Sequence, residues 1–268
     1  MSEQRSTIVA GTVADFSEQW TKYPENEGYY GSEELLADVL RPLSTLDDMH
    51  GQNVAEIGCG NGRFLPNFAR HAKHVWGIEP GDGVLNAQRE VKDLPNVTVL
   101  RGNVYELPPI PPLDHVFSIG VVHHLPDPLQ ALKNMAKLLS PGGRCTIWVY
   151  GHEGNELYLK VFNRVRQVTM KIPHGALHAV STALVPPLRA YIAACRVAPL
   201  PMRTYMRQVL RPLTTNMLRI NIYDQLNPSI AAYWTHDEVE QLMRDAGFVD
   251  VRLHHRHGYS WTATGVRP

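Results

Sequence analysis

The residues with the clearest chemical meaning stand together in Val54-Ala55-Glu56-Ile57-Gly58-Cys59-Gly60-Asn61-Gly62. Three glycines at alternate positions suit a turn that needs φ > 0 and lets a ligand approach the backbone closely. A glycine triplet alone also fits a dinucleotide-binding turn. Two details separate the readings. The spacing is Gly-x-Gly-x-Gly rather than Gly-x-Gly-x-x-Gly, and Glu56 stands two residues before the first glycine. A carboxylate there repels a pyrophosphate and attracts a ligand ammonium. A second group, His123-His124, offers a general base near neutral pH. A third, His254, His255 and His257, invites a metal reading. Neighbours on a strand face opposite ways, so only His255 and His257 share a face. No cysteine or second acidic ligand accompanies them, and no metal is expected. Cys59, Cys145 and Cys195 are widely separated and lack Cys-x-x-Cys spacing, which argues against a zinc knuckle or a disulfide framework.

These residues need elements to hold them. From residue 52 the patterning alternates strand and helix. Strands are expected at 54–57, 74–78, 97–100, 115–120 and 144–150, with helices at 63–71, 84–91 and 128–139. Such alternation argues for βαβ units and a parallel sheet. Upstream, Ser32 caps an amphipathic helix at 32–40, preceded by Phe16, Trp20, Tyr23, Tyr29 and Tyr30, a dense aromatic arm that needs a packing partner. Residues 155–222 read as helical, with a strand pattern only at 218–222. Thr235 and Glu238 form a capping box for a helix at 235–246, and Gly247 stops it. Two closing strands follow at 249–255 and 260–266.

With the glycine turn, Glu79, Arg101-Gly102-Asn103-Val104, Phe117-Ser118-Ile119-Gly120-Val121-Val122-His123-His124-Leu125-Pro126-Asp127-Pro128 and Leu139-Ser140-Pro141-Gly142-Gly143 in this order, the sequence resembles the class I S-adenosylmethionine (SAM)-dependent methyltransferases. The resemblance covers residues 50–150 and 235–268. It implies an α/β, Rossmann-like seven-stranded sheet with helices on both faces and a helical lid insertion. It implies SAM as cofactor, with Glu56 near its amino-acid end and Gly58, Cys59, Gly60, Asn61 and Gly62 beneath it. Glu79 and Pro80 match the ribose position, where a carboxylate accepts two hydroxyl donors. Asn103 and Val104 match the adenine position. The family usually carries Asp where Asn103 stands, and the Asn carbonyl oxygen can still accept from the adenine amino group. Gly120 and Val121 complete the cofactor set, and Tyr29 and Tyr30 are candidates to cover the sulfonium with aromatic faces. The catalytic candidates are His123, His124, Tyr150, Asn155, Tyr223 and Asp224. Each also has a plainer reading as a packing or turn residue. Phe16-x-x-x-Trp20, Tyr150 to Glu156, Tyr223 to Pro228 and His255 to Trp261 resemble one bacterial subfamily whose acceptors are poorly defined.

Composition sets the outer bounds. The 268 residues carry 26 Lys+Arg and 26 Asp+Glu, a net charge of zero that excludes a uniformly basic nucleic-acid binder. The zero is divided unevenly. Residues 156–222 hold ten basic residues against one acid, and the remainder holds 16 basic against 25 acidic. Three domains are expected: an arm over the cofactor site at 1–50, a SAM-binding unit of 51–154 and 223–268, and a basic helical lid at 155–222. The lid's charge fits docking on the acidic core, an anionic acceptor, or contact with nucleic acid or lipid. Its scarcity of Phe and Trp argues against single-stranded RNA. The apolar stretch 176–200 is broken by Pro186-Pro187 and carries Arg189 and Arg196, poor material for a membrane span, and the N-terminus lacks a signal-peptide pattern. A cytoplasmic enzyme acting on a small molecule is expected, with an anionic acceptor among the options.

Methyl transfer to oxygen, nitrogen or carbon of such a molecule is the leading reading. A second keeps the fold but makes SAM its own substrate, its amine closing on Cγ to give azetidine-2-carboxylate and methylthioadenosine. A third is a non-catalytic SAM-binding subunit.

Overall fold

The structure, a computed structural model, describes residues 11, 13, 14, 16, 17, 20, 21, 26, 28–156, 158–160, 169, 172–226 and 230–268. The sequence signals at Tyr23, Arg164, Arg166, Lys171, Asn227 and Pro228 lie outside the described residues.

Seven strands form one sheet: β1 (Asn53–Ile57), β2 (His74–Glu79), β3 (Val97–Arg101), β4 (Leu113–Ile119), β5 (Leu139–Tyr150), β6 (Val249–Arg256) and β7 (Ser260–Val266). Their order is β3-β2-β1-β4-β5-β7-β6. The first five pair in parallel, and β7 runs antiparallel between β5 and β6. The strand order reverses at β1, whose neighbours are β2 and β4, so a crevice opens where the two crossovers diverge beyond the strands' carboxyl ends. The glycine turn after β1 falls in that crevice.

Both faces of the sheet are covered because the central strands are apolar on both sides. On one face lie α1 (Glu33–Leu40), α2 (Leu65–His71) and α3 (Gly83–Glu90), contributing Leu36, Leu40, Phe68 and Ala87 to the core. On the other lie α4 (Pro128–Leu138) and α7 (His236–Asp245), contributing Leu132, Met135, Val239 and Met243. The Ser32 cap accepts from the Leu35 N–H, and both halves of the Thr235/Glu238 capping box form. Between β5 and α7 come α5 (His174–Val197), a short turn Arg203–Tyr205 that runs into π-helical Met206–Leu210, and α6 (Thr215–Leu226).

Two expectations are corrected. Residues 218–222 are helical, within α6, and not a strand. Leu218-Arg219-Ile220-Asn221-Ile222 alternates like a strand, but α6 buries Met217, Leu218, Ile220 and Tyr223 on several sides, which blurs its 3.6-residue period. The helix also crosses residue 222, where the lid was expected to end. The fifth strand starts at Leu139, before the Pro141-Gly142-Gly143 segment, because Leu139 pairs with Leu113.

The closing hairpin is tied to α1 by a buried charge. The Arg256 guanidinium is 3% exposed and donates to the Asp38 carboxylate and to the Tyr259 hydroxyl. His257 contacts the same carboxylate at 2.9 Å. Burial alone lifts the Asp38 carboxyl, but Arg256 and His257 outweigh it and hold it below its ordinary value. Replacing Asp38 with Ala strands a buried guanidinium, and a loss of about 3 kcal/mol in urea unfolding is expected. Because the folded carboxyl titrates low, the wild-type advantage should be complete above the unfolded value and fade as pH falls through the folded one.

Candidate active site

A cavity of about 210 Å³ sits in the crevice. Glu56, Gly58, Cys59, Gly60 and Asn61 come to it from the end of β1, and Glu79 and Pro80 from the end of β2. Gly120, Val121 and His124 follow β4, Tyr150 ends β5, and Asp224 stands on α6. A recess of about 50 Å³ shares the Gly58, Pro80 and Val121 walls and ends at Gly102, Asn103 and Val104. Most of the sequence-derived set is therefore brought together. Gly62, His123 and Tyr223 line none of these spaces.

The turn is built around Glu79. Gly58, Gly60 and Gly62 all have positive φ, at 75°, 57° and 83°. That path aims the Gly60 N–H at one Glu79 oxygen (3.0 Å), while the Gly81 N–H reaches the other (2.9 Å). Glycine at 60 also leaves room for Trp20: a Cβ there would lie 2.9 Å from the indole. Burial lifts the Glu79 carboxyl above its ordinary value, against the pull of its two N–H donors. Glu56 lies deeper in electrostatic terms. Its Oε2 has no hydrogen-bond partner, and burial, opposed by Arg63 and reinforced by Glu79, pushes its carboxyl up to about 8.

The two histidines separate. His124 lines the cavity and gives its Nδ1 proton to the Ile230 carbonyl (2.6 Å). His123 is fully buried, has no hydrogen bond at either ring nitrogen, and lies 3.9 Å from the Tyr150 ring between centroids. Burial, then His124, drives it well below its ordinary value, so it stays neutral behind Tyr150. It packs against that ring and lines none of the cavities described.

A second cavity of about 440 Å³ adjoins the first and shares Tyr30, Arg63, Ile119, Trp148, Tyr150 and Asn221 with it. Its remaining wall is largely apolar, with Leu35, Val39, Leu188, Met206, Val209 and Leu210, and Tyr29 faces it rather than the first cavity. Tyr150 donates to Asp224 (3.3 Å) and accepts from Gln225 (3.2 Å), whose carbonyl accepts from Tyr158 (2.6 Å) and Tyr233 (3.1 Å). Asn155 donates to the Gly151 and Tyr259 carbonyls, stapling the loop after β5 to the hairpin. At Gly154 the two backbones touch, and a Cβ would sit on the Gly258 carbonyl oxygen.

Several wall residues escaped the sequence reading. Phe16 and Trp20 were seen only as aromatics in need of packing. Trp148 and Tyr150 share a strand face, so strand period carried that signal. Arg63, next to the last glycine, stacks on Tyr30 and Phe64 at 4.4 and 4.3 Å. Asn221 was hidden by the misleading alternation at 218–222 in α6, and Leu213 and Met217 stand just before that alternation with no pattern of their own.

Residues 55–147 match the family model described as a methyltransferase domain. The fold is that of the class I SAM-dependent methyltransferases, and residues 55–147 carry the methyltransferase domain within it. A tRNA U34 carboxymethyltransferase of Idiomarina loihiensis is 33% identical over 118 residues, 41% of this chain and 36% of that protein. An uncharacterised methyltransferase of Geobacillus kaustophilus is 34% identical over 139 residues, 48% of this chain and 63% of that protein. The chain thus spans between about a third and two thirds of these relatives. Among solved structures, the DhpI–SAM–HEP complex aligns over 97% of this chain and 98% of its own (TM-score 0.58, 14% identity). Magnesium protoporphyrin IX methyltransferase of Synechocystis PCC 6803 with bound SAH aligns over 99% and 100% (TM-score 0.57, 14% identity). These likenesses establish the fold.

The residues fit the cofactor of that class. The unpartnered Glu56 oxygen suits an ammonium, and Glu79 keeps spare lone pairs beside its two N–H donors for ribose hydroxyls. The Asn103 oxygen already accepts from the Tyr105 N–H (3.0 Å) and has a second lone pair. Two outcomes follow. Glu79→Ala should weaken S-adenosylhomocysteine binding at least about tenfold by calorimetry, since it removes charge-assisted acceptors. Glu56 is protonated below about 8 in the empty site, and a bound ammonium favours its carboxylate. Binding at pH 7 should therefore release a proton and tighten as pH rises toward 8. Calorimetry in buffers of different ionisation enthalpy should detect that proton, and Glu56→Gln should abolish it.

Proposed function

We propose that this chain transfers a methyl group from SAM to an apolar small molecule bound in the 440 Å³ cavity. The supporting observation is that this cavity meets the cofactor cavity along a shared wall of Tyr30, Trp148, Tyr150 and Asn221. SAM, when bound, supplies a methyl carbon activated by a sulfonium, which an oxygen, nitrogen or carbon nucleophile displaces in line.

The chain's own residues orient and seal. Glu56 holds the ammonium, Glu79 the ribose, and the recess at Asn103 and Val104 the base. Trp20 and Phe16 close the cofactor side to water, and Tyr30 and Trp148 present rings at the junction, where they suit a cation. Burial, then the nearby Asp224, holds the Tyr150 phenol well above its ordinary value, so it serves as a donor. By donating to Asp224 it fixes a carboxylate on the wall of the cofactor cavity, beside the junction, where Asp224 takes a proton from an acceptor hydroxyl or amine that reaches across from the 440 Å³ cavity.

The alternative in which SAM cyclises drew part of its support from the want of an acceptor pocket, and the apolar cavity supplies one. The tRNA acceptor named for the Idiomarina relative belongs to that protein. A concave wall rich in Leu, Val and Met favours an apolar small molecule here.

Labelled SAM with a cell extract separates the readings. Label in an organic-soluble molecule is expected. Label in tRNA, or methylthioadenosine formed from SAM alone, would overturn the proposal, and SAM binding without turnover in any extract would favour a non-catalytic subunit. Val209→Trp, which fills the acceptor cavity only, should raise the KM for acceptor about tenfold or more and leave S-adenosylhomocysteine affinity unchanged.

A further inference from the structure

The helix α5 has an unusual outer face. Of the five large hydrophobics most exposed among the described residues, three lie on it: Val180 (37%), Leu184 (43%) and Val197 (88%). Ala176, Ala179, Ala183, Pro187, Ala190 and Ala193 are exposed beside them. Between residues 175 and 197 the only exposed polar side chains are Thr182 and Arg196. Thr182 turns its hydroxyl back to the His178 carbonyl (2.9 Å), so it offers no polar group outward. A monomer in water seldom leaves a contiguous apolar surface of this length bare.

Charge indicates what covers it. From His174 to Leu226 there are six arginines and one acid, and the acid, Asp224, lines the cofactor cavity. Arg189 and Arg203 hold the segment itself together: Arg189 donates to the Leu213 carbonyl, and Arg203 to the Cys195 and Arg196 carbonyls. Arg196, Arg207 and Arg211 are exposed. Arg196 stands in the last turn of α5, next to the bare Val197. An apolar helix face in a segment that carries six arginines and, as its one acid, the cavity-lining Asp224 is complementary to an anionic bilayer surface.

The face also communicates with the interior. Leu184 and Pro187 are exposed and at the same time line the 440 Å³ cavity. An apolar molecule can pass along them from a hydrocarbon layer to the acceptor site without entering water. Depth is limited by Pro186 and Pro187, which leave the carbonyls of Thr182 and Ala183 without helical N–H partners. Those carbonyls need headgroups or water, so the helix lies in the interface. No described helix is long and apolar enough to cross a membrane.

We propose that α5 docks on an anionic bilayer surface and that the acceptor is a lipid-phase molecule taken up beside Leu184. The second clause rests on the reading of the 440 Å³ cavity as the acceptor site. The test is co-sedimentation of the full chain with vesicles of phosphatidylcholine alone or of equimolar phosphatidylcholine and phosphatidylglycerol. At least about tenfold more protein should bind the anionic vesicles, and salt should release it. Val180→Glu with Val197→Glu, neither of which lines a cavity, should abolish sedimentation and retain S-adenosylhomocysteine binding, which reports the fold.

Failure of wild-type protein that still binds S-adenosylhomocysteine to sediment with anionic vesicles overturns the docking. So does a dimer in light scattering that the double variant splits, since a second copy would then cover the face. Methylation of a molecule from the lipid extract without vesicle binding removes the docking and leaves the proposed function standing. Vesicle binding with label entering only water-soluble acceptors removes the lipid-phase acceptor alone.

Discussion

Two buried carboxylates at the ends of adjacent parallel strands set the terms for the whole site. Glu56 ends its course on β1 and Glu79 on β2, both under 6% exposed. Each must be relieved by donors or cations or keep its proton, because an isolated buried charge is far too costly. The glycine turn relieves Glu79 by aiming backbone N–H groups at it, which side chains at positions 58, 60 and 62 would hinder through the positive φ they require. Arg63 relieves Glu56 only from a distance and leaves one oxygen unpartnered. That residual deficit is what a cationic ligand corrects. The arm's Trp20 and the carboxylates therefore belong to one arrangement, in which removing water strengthens the attraction that recruits the ligand.

The second organising fact is the division of the chain's neutral total. The helices between β5 and α7 are rich in arginine, and part of that charge is spent locally. Arg203 satisfies carbonyls in the last turn of α5, where a guanidinium is favoured both as donor and by the helix dipole, and Arg189 satisfies the Leu213 carbonyl in the turn before α6. The same helices bury a core of their own, with Ile192, Leu210, Met217 and Ile220. They form a packed wall rather than a loose flap, and the acceptor cavity lies between that wall and the sheet.

Much of the sheet was legible in the sequence because its signals are local. A buried strand followed by a glycine turn, a capping box at Thr235 and Glu238, and a helix with Leu132 and Met135 on one stripe each declare themselves within a dozen residues. The two buried acids of the crevice were legible for the same reason: they stand at strand ends. What the sequence hid was non-local. His123 and His124 look equivalent in the chain, and only packing turns one to the cavity and the other behind Tyr150. Arg63 acquires meaning from Glu56 and Tyr30, which come from separate elements. Residues 218–222 alternated like a strand because α6 is enclosed on several sides, and a helix without a wet face loses its period. The 440 Å³ cavity was legible only in single residues such as Tyr30, Tyr150 and Asn155, since its wall is assembled from the arm, β5, α5 and α6.

The contact between Gly154 and Gly258 gives the acceptor cavity two walls with different histories open to them. On the sheet side, backbone lies against backbone, and Asn155 fastens the loop to two carbonyls. No side chain can be added at Gly154 without pushing the hairpin away from β5. On the helical side, Leu188, Val209 and Leu210 belong to an apolar cluster, and exchange among Leu, Met, Ile and Val there costs little. Descendants of this chain can therefore diverge in what they accept through one wall only, while the opposite wall is inherited unchanged.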